Sequence, residues 1–315
     1  MRRLLALGAL LLATAGAQAQ VARIGVLSPF IGPDSDFFEV LRARLQELGY
    51  TEGRNAAYIY RAAEEYDRLA QHASEMVRLN VQVIVTAGAP GVRAAMGATD
   101  KIPIVIANVG DAVAQGFVGN LARPGGNVTG FTSLNTELSA KRVELLIDAL
   151  PAATHLVALR EAAGDSSPVR ATERAAHAKG VRTEVMAVRG ADELGSAISA
   201  AAGTRGTALV VIPGTLFVSQ MRRVVELAAS HRLPAIYPDS RYVRAGGLMS
   251  YGPNIRELYR QAASYVDRIL KGAPAGSLPI GQPTSFELAV NLRAAEALGV
   301  TLAPEVLLRA DLVLR

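Results

Sequence analysis

Residues 81–107 read VQVIVTAGAPGVRAAMGATDKIPIVIA. Two β-branched runs, 81–86 and 102–107, bracket a stretch at 91–99 whose small and apolar residues suit a helix. Neither run alternates apolar with polar residues. A strand that is apolar on both faces must be covered on both, which is the habit of parallel sheets with helices above and below. The stretch therefore reads as one β-α-β unit, and its TAGAPG turn (residues 86–91) opens the helix with free backbone N–H groups.

The same rhythm extends in both directions. Upstream, 23–27 (RIGVL) is a short apolar strand. Residues 36–48 carry Phe37, Val40, Leu41, Leu45 and Leu48 at helical spacing, and Gly49 follows as a stop. A strand at 57–61 and a helix at 66–79 lead into the opening stretch. Downstream the pattern restarts: a helix at 138–150 ended by Pro151, a strand at 155–159, a helix at 168–179 stopped by Gly180, and a strand at 183–188. A helix from Asp192 to 202, a strand at 207–212, a helix at 217–231 and a strand at 234–237 complete it. Two blocks of similar size predict an α/β chain of two Rossmann-like, doubly wound lobes. The tail offers a short strand at 247–250, an amphipathic helix at 254–270, a Pro/Gly-rich segment at 273–283 and small strands at 286–290 and 312–314. It is too short to fold alone and must complete lobes already built. The chain then crosses between lobes more than once, which makes a hinge. The expected division is 22–133 plus 250–278 for the first lobe and 134–249 plus 279–315 for the second.

Composition narrows the function. Met1-Arg2-Arg3, an apolar run to Ala15 and small residues at 16–19 form the pattern of a cleaved secretory signal spanning residues 1–19, too short to serve as a membrane span. The 315 residues include no cysteine, so disulfides, thiolate metal sites, a cysteine nucleophile and a lipid-accepting Cys are all excluded. A free periplasmic protein, expected to be monomeric, follows. The formal charge is +5, and loss of Arg2 and Arg3 with the signal removes two charges and leaves +3. The basic residues are scattered rather than clustered with aromatics, so no nucleic-acid partner is expected. His72, His155, His177 and His231 show no metal-ligand spacing, and neither a G-x-S-x-G elbow nor a phosphate-binding glycine fingerprint occurs. No enzyme activity, metal or cofactor is expected.

Ligands of open parallel sheets sit beyond the carboxyl ends of the strands. The candidate ligand-binding residues are those that follow strands: Ser28 and Phe30, Gly88 and Ala89, Asn108 and Asp111 in the first block, and Arg160, Thr215, Tyr237 and Asp239 in the second. The Gly88-Ala89 turn offers backbone N–H groups to an anion. Asp111 and Asp239 can take an ammonium group, although Asp in such places commonly caps a helix. Arg160 can pair bidentately with a carboxylate, and Phe30, Phe217 and Tyr237 can stack on an aromatic ring.

Several segments in order carry a family resemblance: RIGVLSP from Arg23, LQELGYTEGRN at 45–55, LARPGGNVTG at 121–130, LMSYG at 248–252, YVDRILKG at 265–272 and PIGQPTSFEL at 279–288. Across the mature chain these resemble the ABC transporter substrate-binding proteins, a family that includes tryptophan- and tyrosine-binding members. The resemblance implies a type I periplasmic-binding fold with three crossovers and uptake of a small solute, with an aromatic amino acid favoured. It also implies a partner permease in the inner membrane with its ATPase. A ligand-sensing subunit for a receptor is the alternative with the same binding chemistry. The family's Trp-Asn-Pro type segment after the first strand of the second lobe is replaced here by 159–165 (LREAAGD).

Overall fold

The computed structural model describes residues 21–29, 32, 35–63 and 66–315. The expected signal at 1–19 and Phe30 lie outside the described residues. The first sheet is built from β1 (Ala22–Pro29), β2 (Ala56–Ala63), β3 (Val83–Ala87), β4 (Ile104–Val109) and β5 (Val128–Thr132), all parallel in the order β2-β1-β3-β4-β5. Its strands point alternate residues to opposite faces. Ile24, Val26, Val83, Val85, Val105 and Ala107 pack on one side against α1 (Asp36–Glu47). Leu27, Ile84, Ile104 and Ile106 pack on the other against α2 (Tyr66–Arg78) and α3 (Gly88–Ala98). Burial on both faces is why these strands read as unbroken apolar runs.

The second sheet follows the same plan. After α4 (Asn135–Ala149) come β6 (His155–Glu161), α5 (Ser167–Ala178), β7 (Arg182–Val188), α6 (Leu194–Ala201) and β8 (Thr207–Val211). Next are α7 (Thr215–Ser219), α8 (Met221–Ser230), β9 (Ala235–Tyr237), α9 (Ser240–Arg244) and β10 (Met249–Pro253). Helix α10 (Ile255–Leu270) then returns to the first lobe, where Leu258, Ala262, Ala263, Val266 and Ile269 complete the core that α1 begins. Finally β11 (Phe286–Asn291), α11 (Leu292–Leu298), α12 (Pro304–Arg309) and β12 (Leu312–Leu314) return to the second. The sheet order is β12-β11-β10-β9-β8-β6-β7, parallel except for the β10–β11 pair.

The chain crosses between lobes three times: at residues 133–134, at 254 and at 282–285. At the first, Leu134 takes a left-handed φ of 54°, an unusual conformation for a bulky residue. At the third, the Gly281 N–H still donates to Gly130 O of the first lobe at 2.8 Å, so the crossing begins beyond it. The expected boundary before residue 250 falls inside β10, which pairs with β9 and β11 in the second sheet, and residues 279–281 run with the first.

Several elements differ from the expectation: α9, α11 and α12 were not foreseen, and two further differences have a local cause. Residues 217–231 form two helices, α7 and α8, broken at Gln220, where φ −101° and ψ 20° leave the helical region. Strand β5 arises inside a glycine-bearing stretch with no continuous apolar run. Gly130 there adopts φ 132°, and a Cβ would lie 2.0 Å from Ile106 O, so the strand needs glycine to sit beside β4. No helix among the described residues is long and apolar enough to cross a membrane.

Candidate functional site

The carboxyl edges of the two sheets face each other across a cleft of about 900 Å³. From the first lobe come Phe37, Tyr66 and the turns after β3 and β4. From the second come the turns after β6, β8 and β9, together with Arg142 of α4. The lobes meet at several places, three of which bridge the cleft through named side chains or close approach. Tyr66 Oη donates to Glu161 Oε1 at 2.5 Å. Burial, then this bond, pushes the Tyr66 hydroxyl well above the usual phenol range. The Arg241 guanidinium lies 4.4 Å from the centroid of the Phe37 ring, whose stacked neighbour is Tyr259 at 4.8 Å. Gly88 stands against Thr215, where a Cβ would approach Thr215 Oγ1 to 2.9 Å; with φ at 69°, glycine suits both the backbone and the close approach. These contacts hold the lobes closed.

Of the residues expected from sequence, Gly88, Ala89, Asn108, Thr215 and Asp239 line the cleft. Ser28, Asp111, Arg160 and Tyr237 do not, each for a local reason. Ser28 is a buried residue of β1 beside a separate void of about 20 Å³. Asp111 Oδ1 accepts from the N–H groups of Val113 and Ala114, both at 3.0 Å, and so caps its own turn. Arg160 donates to the carbonyls of Glu161, Ala162 and Gly164 and ties down the turn after β6. Tyr237 is 1% exposed and stacks on Tyr242 in the core of the second lobe.

Asp239 lines the cleft but is fully engaged. Its Oδ1 caps α9 by accepting from Arg241 N at 3.1 Å, and its two oxygens hold the Arg241 side chain at 2.8 and 2.9 Å. The capping role recognised as common for Asp is thus filled here.

Several cleft residues were not among the expected binding residues, among them Phe37, Tyr66 and Tyr259 and the charged Glu161, Arg241 and Arg142. Glu161 is the neighbour of the expected Arg160, and it is Glu161 that reaches Tyr66 across the cleft. Arg241 follows Asp239 in the first turn of α9. Arg142 lies mid-helix, 1% exposed, with Nε donating to Tyr251 O at 2.7 Å and Nη2 to Pro238 O at 3.3 Å. Burial lowers its pKa to about 10, so it stays cationic at neutral pH. One signal existed for it. Leu138, Arg142, Leu146 and Ala149 recur at helical spacing, and a charge on the apolar stripe of a helix is seldom accidental.

In the second lobe the lining carries Arg142 and Arg241, with Asp239 between them, beside β9 and β10, and Glu161 and Asp165 beside β6; the first lobe adds Asp67 and Arg93. The lining contains no histidine, lysine or cysteine, and among the described residues no group of three or more His, Asp or Glu side chains gathers to hold a metal ion. Charges of both signs set among small apolar side chains suit holding a solute.

Comparison with known proteins agrees with this geometry. A family model described as ABC transporter substrate binding protein matches residues 32–314. A tyrosine-binding protein from Clostridioides difficile (strain R20291) is 28% identical over 250 residues, covering 78% of this chain and 72% of that protein. A solved conserved domain protein from Vibrio cholerae O1 biovar eltor is 27% identical, with a TM-score of 0.85 over 93% of this chain and 100% of that one. A Streptococcus pneumonia ABC domain solved with L-Trp has the same fold, at 24% identity and a TM-score of 0.84 over 93% and 99% of the two chains. A ligand-free, open substrate binding protein with adhesive properties from Clostridium difficile superposes less well, at a TM-score of 0.65 and 25% identity over 90% and 97%. With two parallel-sheet lobes of the type I periplasmic-binding fold, the chain belongs to the ABC transporter substrate binding protein family, whose members bind solutes and are not enzymes.

Proposed function

We propose that this protein is the periplasmic substrate-binding component of an ABC importer and that it captures a small solute between its lobes, an amino acid and in preference an aromatic one. The observation that carries the reading is the closed cleft at the facing carboxyl edges of the two sheets. Contacts made to both lobes at once favour closure. The tyrosine-binding relative supports an aromatic amino acid, as does the aromatic surface that Phe37, Tyr66 and Tyr259 give the first lobe's wall. Gly88, Ala89, Asn108 and Thr215 are the neighbours for the ligand's polar atoms. Residues 1–19 act as the export signal, the mature chain works as a free monomer, and its partner is a membrane permease with its ATPase.

A thermal-shift screen over amino acids, small carboxylates and nucleosides tests the ligand class. A ligand at a hundredfold excess over Kd stabilises by about 2.7 kcal/mol, which is a shift of several degrees. L-Tyrosine and related aromatic amino acids are expected to give it; no shift with any amino acid defeats the ligand assignment. Recovery of the mature chain in an osmotic-shock fraction, starting near Gln20 or Val21, checks the location, and an uncleaved, membrane-bound product refutes it.

A further inference from the structure

Two guanidinium groups in the cleft, the buried Arg142 and the half-buried Arg241, lie near one carboxylate. Asp239 spends both oxygens on Arg241, and although its charge favours the Arg142 cation from a distance, among the described residues Arg142 makes no ion pair. Arg142 is held instead by two backbone carbonyls, which neutralise nothing. Its Nη1 is buried and without a hydrogen-bond partner among the described residues. A buried cation with an unused donor carries a substantial desolvation penalty unless an anion completes it. Across the cleft, Asn108 Oδ1, just before the end of β4, is likewise buried and unpartnered. One lobe thus offers an unsatisfied cationic donor, and the other an unsatisfied neutral acceptor.

We propose that Arg142 is the receptor for the ligand's carboxylate, with the Asn108 side-chain carbonyl accepting from its ammonium group. The assignment rests on reading the cleft as an amino-acid site, and it adds the chemical handle by which a ligand is held. Arg142 is well placed for this work. Its Nε and Nη2 bonds to Tyr251 O and Pro238 O fix the guanidinium before any ligand arrives, so little side-chain entropy is lost on binding. Its position on α4, directly after the first crossover, and its grip on β10, directly before the second, put the anchor where the lobes turn.

The test is a cycle between ligand and protein. Calorimetry compares L-tyrosine, tyramine (no carboxylate) and 3-(4-hydroxyphenyl)propionate (no ammonium) on the wild type and on Arg142→Gln. The wild type is expected to prefer tyrosine to tyramine by about thirtyfold or more. In Arg142→Gln that preference should collapse, with tyrosine falling to the tyramine level and tyramine little changed. A purely structural role would weaken both ligands alike and keep the ratio, which overturns the proposal. If the variant does not fold, the wild type decides alone: equal affinity for tyrosine and tyramine overturns it. If the wild type takes none of the three, tyrosine is not the ligand, and the wider screen decides the amino-acid reading. The Arg142 assignment then stands only if the hit from the wider screen bears a carboxylate whose removal costs a similar factor, and it falls if the hit carries no anionic group.

Discussion

Replacing Tyr66 by Phe removes a single hydroxyl from the cleft while keeping the ring. In the closed form that hydroxyl donates to the Glu161 carboxylate at 2.5 Å. Hydrogen bonds to charged groups are worth about 1.5–3 kcal/mol, and both partners are only half-buried, so the lower figure applies. When the lobes open, water replaces the lost partner; the penalty therefore falls on the closed form alone. Glu161 keeps a longer contact from Leu216 N at 3.4 Å, which holds its carboxylate in place. About 1.5 kcal/mol shifts the ratio of closed to open forms by roughly tenfold. A ligand that binds through the closed form then loses affinity by up to that factor, since the cost of populating the competent state adds to its own. Where the ligand-free wild type is mostly closed, part of the effect appears instead as expansion of the free variant. Calorimetric titration and small-angle scattering on wild type and Tyr66→Phe read both quantities. An unchanged affinity together with an unchanged radius of gyration would falsify the role of this contact in closure.

Three further outcomes follow from the geometry. Asp239→Ala strips the cap from α9 and leaves the largely buried Arg241 without its counter-charge; a loss of about 3 kcal/mol or more is expected in urea unfolding, and a wild-type midpoint would contradict it. Gly252→Ala places a Cβ 1.8 Å from Pro238 O, so β10 must separate from β9; the cost is about 3 kcal/mol or more in thermal melting, and an unaltered Tm would show that the strands can yield. Burial, aided by Glu52, holds the Tyr58 hydroxyl up at about 12 against 10.0 when free, and burial raises Tyr237, Tyr242 and Tyr259 as well. Because these folded values exceed the unfolded one, the unfolded chain gives up its protons first. Their stabilisation is whole below about pH 10 and is lost as pH climbs through 12. Absorbance at 295 nm should therefore rise in two phases, the second coinciding with loss of ellipticity; a single phase near pH 10 would refute it.

The fold was open to reading because its strands are buried on both faces. VQVIVT and IPIVIA have no polar face to blur them, and the glycines after the helices mark where each unit ends. What escaped lacks that signature. Strand β5 is VTGFT, sheltered by neighbours rather than by its own apolar run. The break at Gln220 depends on how α7 and α8 pack, which no local spacing encodes. The site was legible as a set of turns but not as a set of side chains. At the end of β6, Arg160 and Glu161 are equally polar, and only the direction of the last strand residue decides which one faces the cleft. Asp239 was found for its position, yet its oxygens go to its own helix. Arg142 belongs to no strand end at all; a rule that searches turns cannot reach it.

The three crossovers also dictate the order in which the molecule can be finished. The core of the first lobe is closed partly by α10, more than a hundred residues after β5, and the second sheet receives β11 and β12 only at the end of the chain. Synthesis proceeds from the amino end, and domains usually fold in that order as they emerge. Here neither lobe is a continuous segment, so a chain stopped near residue 250 has two unfinished halves and no complete one. Each lobe can be completed only once the last quarter of the polypeptide has arrived, the first with α10 and the second with β11 and β12.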